Sequence, residues 1–154
     1  ALVAAGISTG EEALHDIFEM RRLLEPSIAA LAAQRTTKSE LDRMTNILHE
    51  QQHQIDAGDT GVESDTAFHF ALAAATHNSA LLKVVSAVED ILQRSRDESL
   101  QVPGRPQRSL ASHQQILQMI ETGDSEGAQR AMEHHLEVVE PSTLGPDTGR
   151  GTQD

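Results

Sequence analysis

Apolar side chains recur every three or four positions along most of the chain, which is the spacing of a helix with one buried face. Capping and turn residues divide this pattern into six segments. They cover about residues 9–35, 37–57, 63–76, 79–100, 107–122 and 125–140. The two-residue alternation of a half-buried strand does not compete with this pattern. The sequence therefore predicts an all-α protein, an antiparallel bundle of six or seven helices joined by mostly short connections.

The predicted boundaries rest on residues that satisfy free backbone groups. Thr9 and Thr37 each stand three residues before a glutamate, so each can form a capping box. Asp124 is expected to cap the last helix, and Asn78 to take the left-handed position after the third. The chain is then divided into a linker remnant, a folded helical domain and a disordered tail, at residues 1–8, 9–140 and 141–154.

The composition narrows the function. The formal net charge is −12, from 24 acidic and 12 basic residues, and so acidic a surface repels phosphate backbones. We therefore expect that this stretch does not bind nucleic acid by itself. The sequence has no cysteine, which fits a reducing cytoplasm and excludes thiolate metal ligands. Since no apolar run approaches the roughly 20 residues that cross a bilayer, we expect a cytoplasmic protein.

A carboxylate and an imidazole lie four residues apart in the third helix, at Asp65 and His69. Side chains at this spacing lie one above the other, close enough to bind the same metal ion. Phe68 and Leu72 fall on the same side of the helix, so the pair borders the buried stripe. A charged aspartate in that place needs a partner. A buried hydrogen-bonded pair explains these two residues alone as well as a metal site does.

Helical phase separates the eight histidines. His113 lies in the centre of the apolar stripe of the fifth helix and His135 in that of the sixth, whereas His134 points about 100° away. His49 and His53 also have ligand spacing, but they fall opposite the apolar stripe of the second helix. We predict that they are exposed. Three inward histidines and one inward aspartate thus come from three helices, and a shared cation would offset the burial of so many polar groups.

We therefore predict a divalent metal ion held by Asp65, His69, His113 and His135. Three imidazoles and a carboxylate suit Zn²⁺ first, with Ni²⁺, Mn²⁺ and Fe²⁺ as other candidates. An octahedral ion would keep positions open. A dication with a single carboxylate ligand stays positively charged, so the site would attract a small anion such as a carboxylate.

Arginine side chains offer anchors for that anion. Arg21 lies in the apolar stripe of the first helix, where its guanidinium would bind a carboxylate through two parallel hydrogen bonds. An ion pair with Glu25, four residues on, explains Arg21 equally well. Arg94, Ser95 and Arg96 lie on or beside the inner stripe of the fourth helix and are further anion-binding candidates. A charged, solvated helix end is the alternative interpretation of these three.

Three functions remain open. The first is a metal-dependent sensor of a small carboxylate. The second is a metal-dependent enzyme, such as a hydrolase or oxygenase, whose ion activates water. Beyond the four ligands, however, we find no Glu or His on the inner stripes that is free to act as a general base, so we expect no enzyme. The third is a structural bundle that dimerises, with its polar core groups satisfying one another.

The motifs together resemble a known family. The opening helix of the effector domain of GntR-type bacterial transcription regulators, in the FadR subgroup, is similar to Glu19-Met-Arg21-Arg-Leu-Leu24-Glu25-Pro-Ser-Ile-Ala-Ala-Leu-Ala-Ala. Later motifs follow in that family's order: the Asp65-x3-His69 helix, the lone His113, the Gly123-Asp124 turn and Met132-Glu-His-His135-Leu. The resemblance covers about residues 9–140.

This resemblance implies an all-helical, ligand-sensing domain that forms a homodimer. In metal-containing members an aspartate and three histidines hold a divalent ion, and a small organic acid completes its coordination. Asp65, His69, His113 and His135 match that ligand set, and Arg21 matches an arginine near the acid. Members also carry an N-terminal winged-helix DNA-binding domain, which residues 1–154 do not contain. We expect an isolated effector domain that reaches DNA only through such a domain, or a protein that works without DNA.

Overall fold

The computed structural model describes residues 10–140, and every regular element in that range is an α-helix. The helices are α1 (Glu11–Arg35), α2 (Lys38–Asp56), α3 (Val62–Ala75), α4 (Ser79–Leu100), α5 (Arg105–Glu121) and α6 (Ser125–Val139). The predicted fold class, an all-α bundle of six or seven helices, is confirmed. The predicted linker remnant (1–8) and disordered tail (141–154) lie outside the described residues.

Two of the predicted caps are confirmed. The Thr37 hydroxyl accepts a hydrogen bond from the Glu40 backbone amide at 3.2 Å, and the Glu40 carboxylate accepts one from the Thr37 amide at 2.9 Å. These two bonds are the reciprocal contacts of a capping box. At the start of α6 the Asp124 carboxylate accepts from the Gly127 amide at 2.8 Å. Short polar side chains thus fix where α2 and α6 begin.

The turn between α3 and α4 differs from the prediction. Asn78 does not take the left-handed position: its φ is −117°, and it caps α4, accepting hydrogen bonds from the Ala80 and Leu81 amides. His77 takes the left-handed conformation instead, with φ 56°. The prediction for Asn78 was wrong because asparagine suits both positions, and here its carbonyl satisfies two otherwise free amides.

The starts of α1 and α5 are also displaced. Gly10 occupies the N-cap position of α1, without a side-chain cap, and the predicted cap Thr9 lies outside the described residues. α5 begins at Arg105 rather than near Gln107. Pro106 is compatible with this earlier start, because the first turn of a helix does not need its backbone N–H. The earlier start places Arg105 inside the fold.

α1 lies at the centre of the bundle, in contact with α3, α4, α5 and α6. Its buried face carries the small residues Ala29, Ala32 and Ala33, which let neighbouring helices approach closely. The main apolar core joins this face to α2, α3, α5 and α6. Two smaller clusters pack α4 against α1 and α3. Each helix thereby buries most of the apolar stripe that its sequence predicts.

The apolar stripe predicted for α4 includes Val84 and Ile91, and the buried face of this helix is narrower than that stripe. Val85, Val88 and Leu92 are buried, but Val84 and Ile91 are each 39% exposed. Both lie at the edge of the buried stripe, and Val84 also lines a small cleft with Met20 and Leu24 of α1. Within residues 10–140, no helix is both long enough and apolar enough to cross a membrane.

Candidate functional site

Three imidazoles meet inside the bundle. His69 of α3, His113 of α5 and His135 of α6 are each at most 2% exposed. Their ring centroids are 5.2 Å apart for the two pairs that include His69, and 4.5 Å apart for the third. One ligand atom from each ring lies within 4.8 Å of the other two. The structure therefore brings together the three histidines that helical phase assigned to the interior.

The outer nitrogen of each ring has a hydrogen-bond partner. His69 Nδ1 lies 2.8 Å from the Glu25 carboxylate, and His113 Nδ1 lies 3.0 Å from the side-chain oxygen of Gln51. Both of these oxygens can only accept, so Nδ1 carries the proton in each ring. The orientation of Gln51 is fixed in turn, because its amide group donates to Asp65 at 3.4 Å.

The protonated nitrogen of His135 is determined in the same way, by a hydrogen bond to a hydroxyl group. Its Nδ1 lies 2.6 Å from Ser112 Oγ. The Ser112 hydroxyl donates its own hydrogen to the Ser109 carbonyl at 2.8 Å, so towards the imidazole it accepts. His135 therefore also carries its proton on Nδ1. This hydrogen-bond network assigns one tautomer to all three rings.

The inner nitrogens are left without partners. Nε2 of His69, His113 and His135 is buried and makes no hydrogen bond among the described residues. In the assigned tautomer each Nε2 presents a lone pair, and lone pairs cannot hydrogen-bond to one another. Three buried acceptors without a donor are unfavourable, whereas three imidazole nitrogens are ordinary ligands of a divalent transition metal. The residues present thus fit a metal ion.

Burial keeps two of these rings in the form that binds metal. Removal from water lowers the pKa of His113 to about 3, against the opposing attraction of Asp65. Burial also lowers the pKa of His135 well below its ordinary value, and repulsion by neighbouring cationic groups adds to the effect. Both rings are neutral at pH 7 as a result.

Asp65 lies beside the imidazoles. One carboxylate oxygen is 3.9 Å from His69 Nε2 and 3.3 Å from Arg96 Nε, and the other accepts a hydrogen bond from Ser109. Burial alone would raise the pKa of Asp65, but attraction to His113, Arg96 and His69 lowers it to about 2. The partner that a buried aspartate needs is therefore an arginine, Arg96, together with the polar groups around it.

A cavity of about 360 Å³, a volume that includes the open space at its mouth, adjoins this cluster. Its apolar walls come from α1, α4 and α6, and its polar lining includes Asp65 and His135. Three arginines also line it: Arg21, Arg96 and Arg105. So many guanidinium groups around one small cavity favour an anionic occupant.

The structure shows the ion-pair alternative for Arg21, and its role as an anion anchor stays a prediction. It forms the buried ion pair with Glu25, as the four-residue spacing allowed. Its Nη2 lines the same interior without a hydrogen-bond partner among the described residues. The guanidinium also lies 5.0 Å from the centre of the Phe18 ring, which holds it against α1. Arg21 therefore keeps donors free for a ligand while its charge is balanced by Glu25.

The α4 candidates divide. Ser95 and Arg96 line the cavity, and their role in anion binding stays a prediction. Arg96 is engaged with Glu89, Asp65 and Thr66. Arg94 does not reach the cavity. Its side chain is 91% exposed and pairs with Glu98, so the alternative of a solvated helix end is correct for this residue.

The expectation that Asp65 is the only inward acid is wrong. Glu25 and Glu89 are 6% and 1% exposed. Burial alone would raise the pKa of Glu25, but attraction to Arg21 and His69 lowers it well below its ordinary value. Glu25 stands four residues from Arg21, the spacing of an ordinary surface ion pair, and Glu89 stands seven residues, about two helical turns, from Arg96. Glu25, Glu89 and His69 also offer ligand atoms within 4.8 Å of one another, but the two arginine pairs occupy these carboxylates.

The other histidines are exposed. His49 and His53 lie on the solvent side of α2, and His134 lies on the outside of α6 beside the buried His135. Their exposure confirms the separation by helical phase. Sequence spacing alone would have selected His49 and His53 as a metal pair, and only their position opposite the apolar stripe excluded them.

A buried polar cluster beside an arginine-lined cavity, inside an all-α bundle, defines a helical ligand-binding domain. Residues 16–138 match the FCD domain. The chain belongs to this family, the C-terminal effector-binding domain of GntR-family transcription regulators.

Individual relatives agree with this family. The chain is 30% identical over 148 residues to the HTH-type transcriptional regulator LutR of Bacillus subtilis (strain 168), covering 93% of this chain and 68% of that protein. It is 34% identical over 128 residues to the Putative L-lactate dehydrogenase operon regulatory protein of Escherichia coli (strain K12), covering 80% of this chain and 49% of that protein. The relatives are named as transcriptional regulators rather than enzymes.

A solved structure shares the fold. The protein titled Streptococcus agalactiae GntR superposes with a TM-score of 0.72 at 28% sequence identity, covering 81% of this chain and 56% of that chain. This chain therefore spans between about half and about two thirds of the length of these three proteins. The likeness concerns their effector-binding part.

Proposed function

We propose that this domain senses a small organic acid through a divalent metal ion held by His69, His113, His135 and Asp65. The observation that carries the proposal is the convergence, in one buried place, of three imidazole nitrogens that have no hydrogen-bond partner within residues 10–140. When bound, the ion supplies a positive centre with open coordination positions. Zn²⁺ is the first candidate, followed by Ni²⁺, Mn²⁺ and Fe²⁺.

The protein's own residues would orient the ligands. Glu25, Gln51 and Ser112 fix the three rings with their lone pairs inward. Such hydrogen-bonded partners raise the basicity of ligating histidines and set their direction. Asp65, ionised at neutral pH, would be the carboxylate ligand, and it lies 3.9 Å from His69 Nε2.

The cavity beside this centre would receive the acid. Arg21 keeps a buried Nη2 free for it, and a guanidinium suits a carboxylate. One relative is named for the operon of L-lactate dehydrogenase, an enzyme of a 2-hydroxy acid. A carboxylate effector is therefore compatible with the chemistry of the cavity and with that name.

The signal would pass through helix packing. An acid bound here contacts α1, α3, α4, α5 and α6, because each of these helices contributes to the cavity lining or to the metal cluster. We assume two arrangements of these helices, one of which favours DNA binding by a winged-helix domain in the whole regulator. The acid can shift the equilibrium between them by no more than the difference in its binding free energy for the two arrangements.

A homodimer is part of the proposal. Leu23 of α1 and Val84 and Ile91 of α4 are large apolar side chains with exposures of 72%, 39% and 39%. Covering them with a second copy would remove apolar surface from water. Sedimentation velocity on the wild type and on Ile91→Lys tests this part: a monomeric wild type would contradict it.

The metal site is tested with two neighbouring histidines. His135→Gln should lose bound zinc in elemental analysis after dialysis, whereas His134→Gln, an exposed residue on the same helix, should retain the wild-type amount. Circular dichroism should show both variants folded. Unchanged metal content in His135→Gln would remove the site assignment.

A further inference from the structure

We propose that Arg105 is a specificity-determining residue, which makes the cavity select organic acids with two negative charges over acids with one. This inference rests on the proposed function, because it concerns the anion that the metal-loaded cavity takes. A dicarboxylate is the simplest ligand of this class.

Arg105 is a buried cation without a direct partner. It is 8% exposed and lines the cavity, and its Nη1 has no hydrogen-bond partner among residues 10–140. In the same range its guanidinium lies within 4.0 Å of no carboxylate. Burial lowers the pKa of Arg105, and the attraction of Asp65 opposes this effect. An unpaired buried guanidinium is unfavourable, so a ligand that pairs with it gains affinity.

Arg96 provides the contrast within the same cavity. It is hydrogen-bonded to Glu89 through both terminal nitrogens, to Thr66 through Nη1, and its Nε faces Asp65 at 3.3 Å. Little of its donor capacity remains for a ligand. The arginines that keep buried, unused donors are Arg21 and Arg105. They come from the middle of α1 and the first residue of α5.

Charge balance points to the same class of ligand. Arg21 is balanced by Glu25, and Arg96 by Glu89. Asp65 then balances Arg105 through space. A divalent ion bound by Asp65 would carry a net charge of +1 together with that aspartate. Arg105 adds a second positive charge, so the cavity would hold an excess of two. A dianion neutralises this excess, whereas a monoanion leaves one buried charge uncompensated.

The position of Arg105 in α5 strengthens this preference. The α5 N-terminus has glycine at its N-cap and no side-chain cap, so its partial positive charge is not offset by a capping carboxylate. The same helix carries His113. In a bound dicarboxylate, one carboxylate would contact the metal ion and Arg21, and the other would contact Arg105. The ligand would then link α1 to the N-terminus of α5.

Isothermal titration of the zinc-loaded protein with L-malate and L-lactate tests the inference. The two acids share a 2-hydroxy acid group, and malate adds a second carboxylate. We expect malate to bind about 10- to 100-fold more tightly, the range for hydrogen bonds to a charged group. Arg105→Gln should reduce malate affinity to that of lactate and leave lactate affinity unchanged. Arg94→Gln, whose side chain is 91% exposed and does not line the cavity, should behave as wild type.

A second measurement does not depend on the ion. Metal-free Arg105→Gln should unfold thermally at a temperature no lower than the wild type, because an unpaired buried charge is removed. Equal affinities for the two acids, with no effect of Arg105→Gln, would overturn the inference and leave the proposed function standing. Binding of neither acid to the zinc-loaded wild type would instead remove the proposed function, and the inference with it.

Discussion

Glu25 connects the ligand side of the cavity to the imidazole cluster. One of its oxygens pairs with Arg21, and the other accepts from His69 Nδ1 at 2.8 Å. Glu25→Gln keeps the shape of the side chain but removes its charge, which leaves Arg21 as a buried cation. The two side chains of the ion pair are 3% and 7% exposed, and breaking such a pair from one side typically costs about 3–5 kcal/mol. We expect the lower end, about 3 kcal/mol, because glutamine keeps an oxygen for His69.

The chain contains a matched control. Arg94 and Glu98 have the same residue types and the same four-residue spacing, but their side chains are 91% and 69% exposed. Glu98→Gln should change the free energy of unfolding by less than about 1 kcal/mol, as exposed pairs do. Burial is then the main difference between the two substitutions.

Urea unfolding of the metal-free proteins at pH 7 measures both effects. With a slope of about 1.5 kcal/mol per molar urea, Glu25→Gln should lower the midpoint by roughly 2 M, and Glu98→Gln should leave it nearly unchanged. Zinc affinity should also fall about 10- to 100-fold in Glu25→Gln, since His69 loses the carboxylate that orients it. Equal midpoints for the two variants would refute the argument that burial makes this ion pair important.

Three further predictions follow from the same geometry. The metal-free protein should lose stability as the pH falls from 7 to 5, by about 2 kcal/mol for His113, because the unfolded ring takes up a proton near pH 6.5 and the folded ring stays neutral. The lowered pKa of His135 acts in the same direction. Urea midpoints that stay constant or rise over this range would contradict the assignment. Calorimetry should show that zinc raises the melting temperature, with a stabilisation of about 2.7 kcal/mol at free zinc 100 times the dissociation constant; identical melting with and without zinc would favour a purely structural bundle. Gln51→Leu should lower zinc affinity about 10- to 100-fold in a chelator competition, because the acceptor that orients His113 is lost. Gln52 is the control, since its side chain bonds to Asp56 on the outside of α2, and Gln52→Leu should retain wild-type affinity.

Much of this fold could be predicted from the sequence, because it depends on local patterns. Capping residues such as Thr37 and Asp124 form their contacts within three residues, and the apolar stripe of each helix shows which side is buried. Position relative to that stripe also distinguished the buried His135 from the exposed His134. Where two neighbouring positions compete for one role, as His77 and Asn78 do, the local pattern was not sufficient.

The polar partners of the site could not be predicted in the same way. Glu25 and Glu89 are charged residues with an arginine nearby in sequence, which is the usual pattern of a solvated helix face. Their burial depends on helices that are distant in the chain, such as the contact of Glu25 with His69. Arg105 falls between the predicted helices at 79–100 and 107–122, and only the folded chain shows that it lines the cavity. The tautomer of His113 likewise depends on Gln51, 62 residues away.

X-ray absorption spectroscopy of the zinc-loaded protein tests the central claim most directly. The account predicts a first shell of nitrogen and oxygen at about 2.0–2.2 Å, with the outer-shell scattering of the three imidazoles of His69, His113 and His135. His134→Gln should give the wild-type signal, whereas His135→Gln should retain too little zinc after dialysis to give it. A spectrum of hydrated zinc without imidazole scattering would contradict the claim that these rings bind the ion.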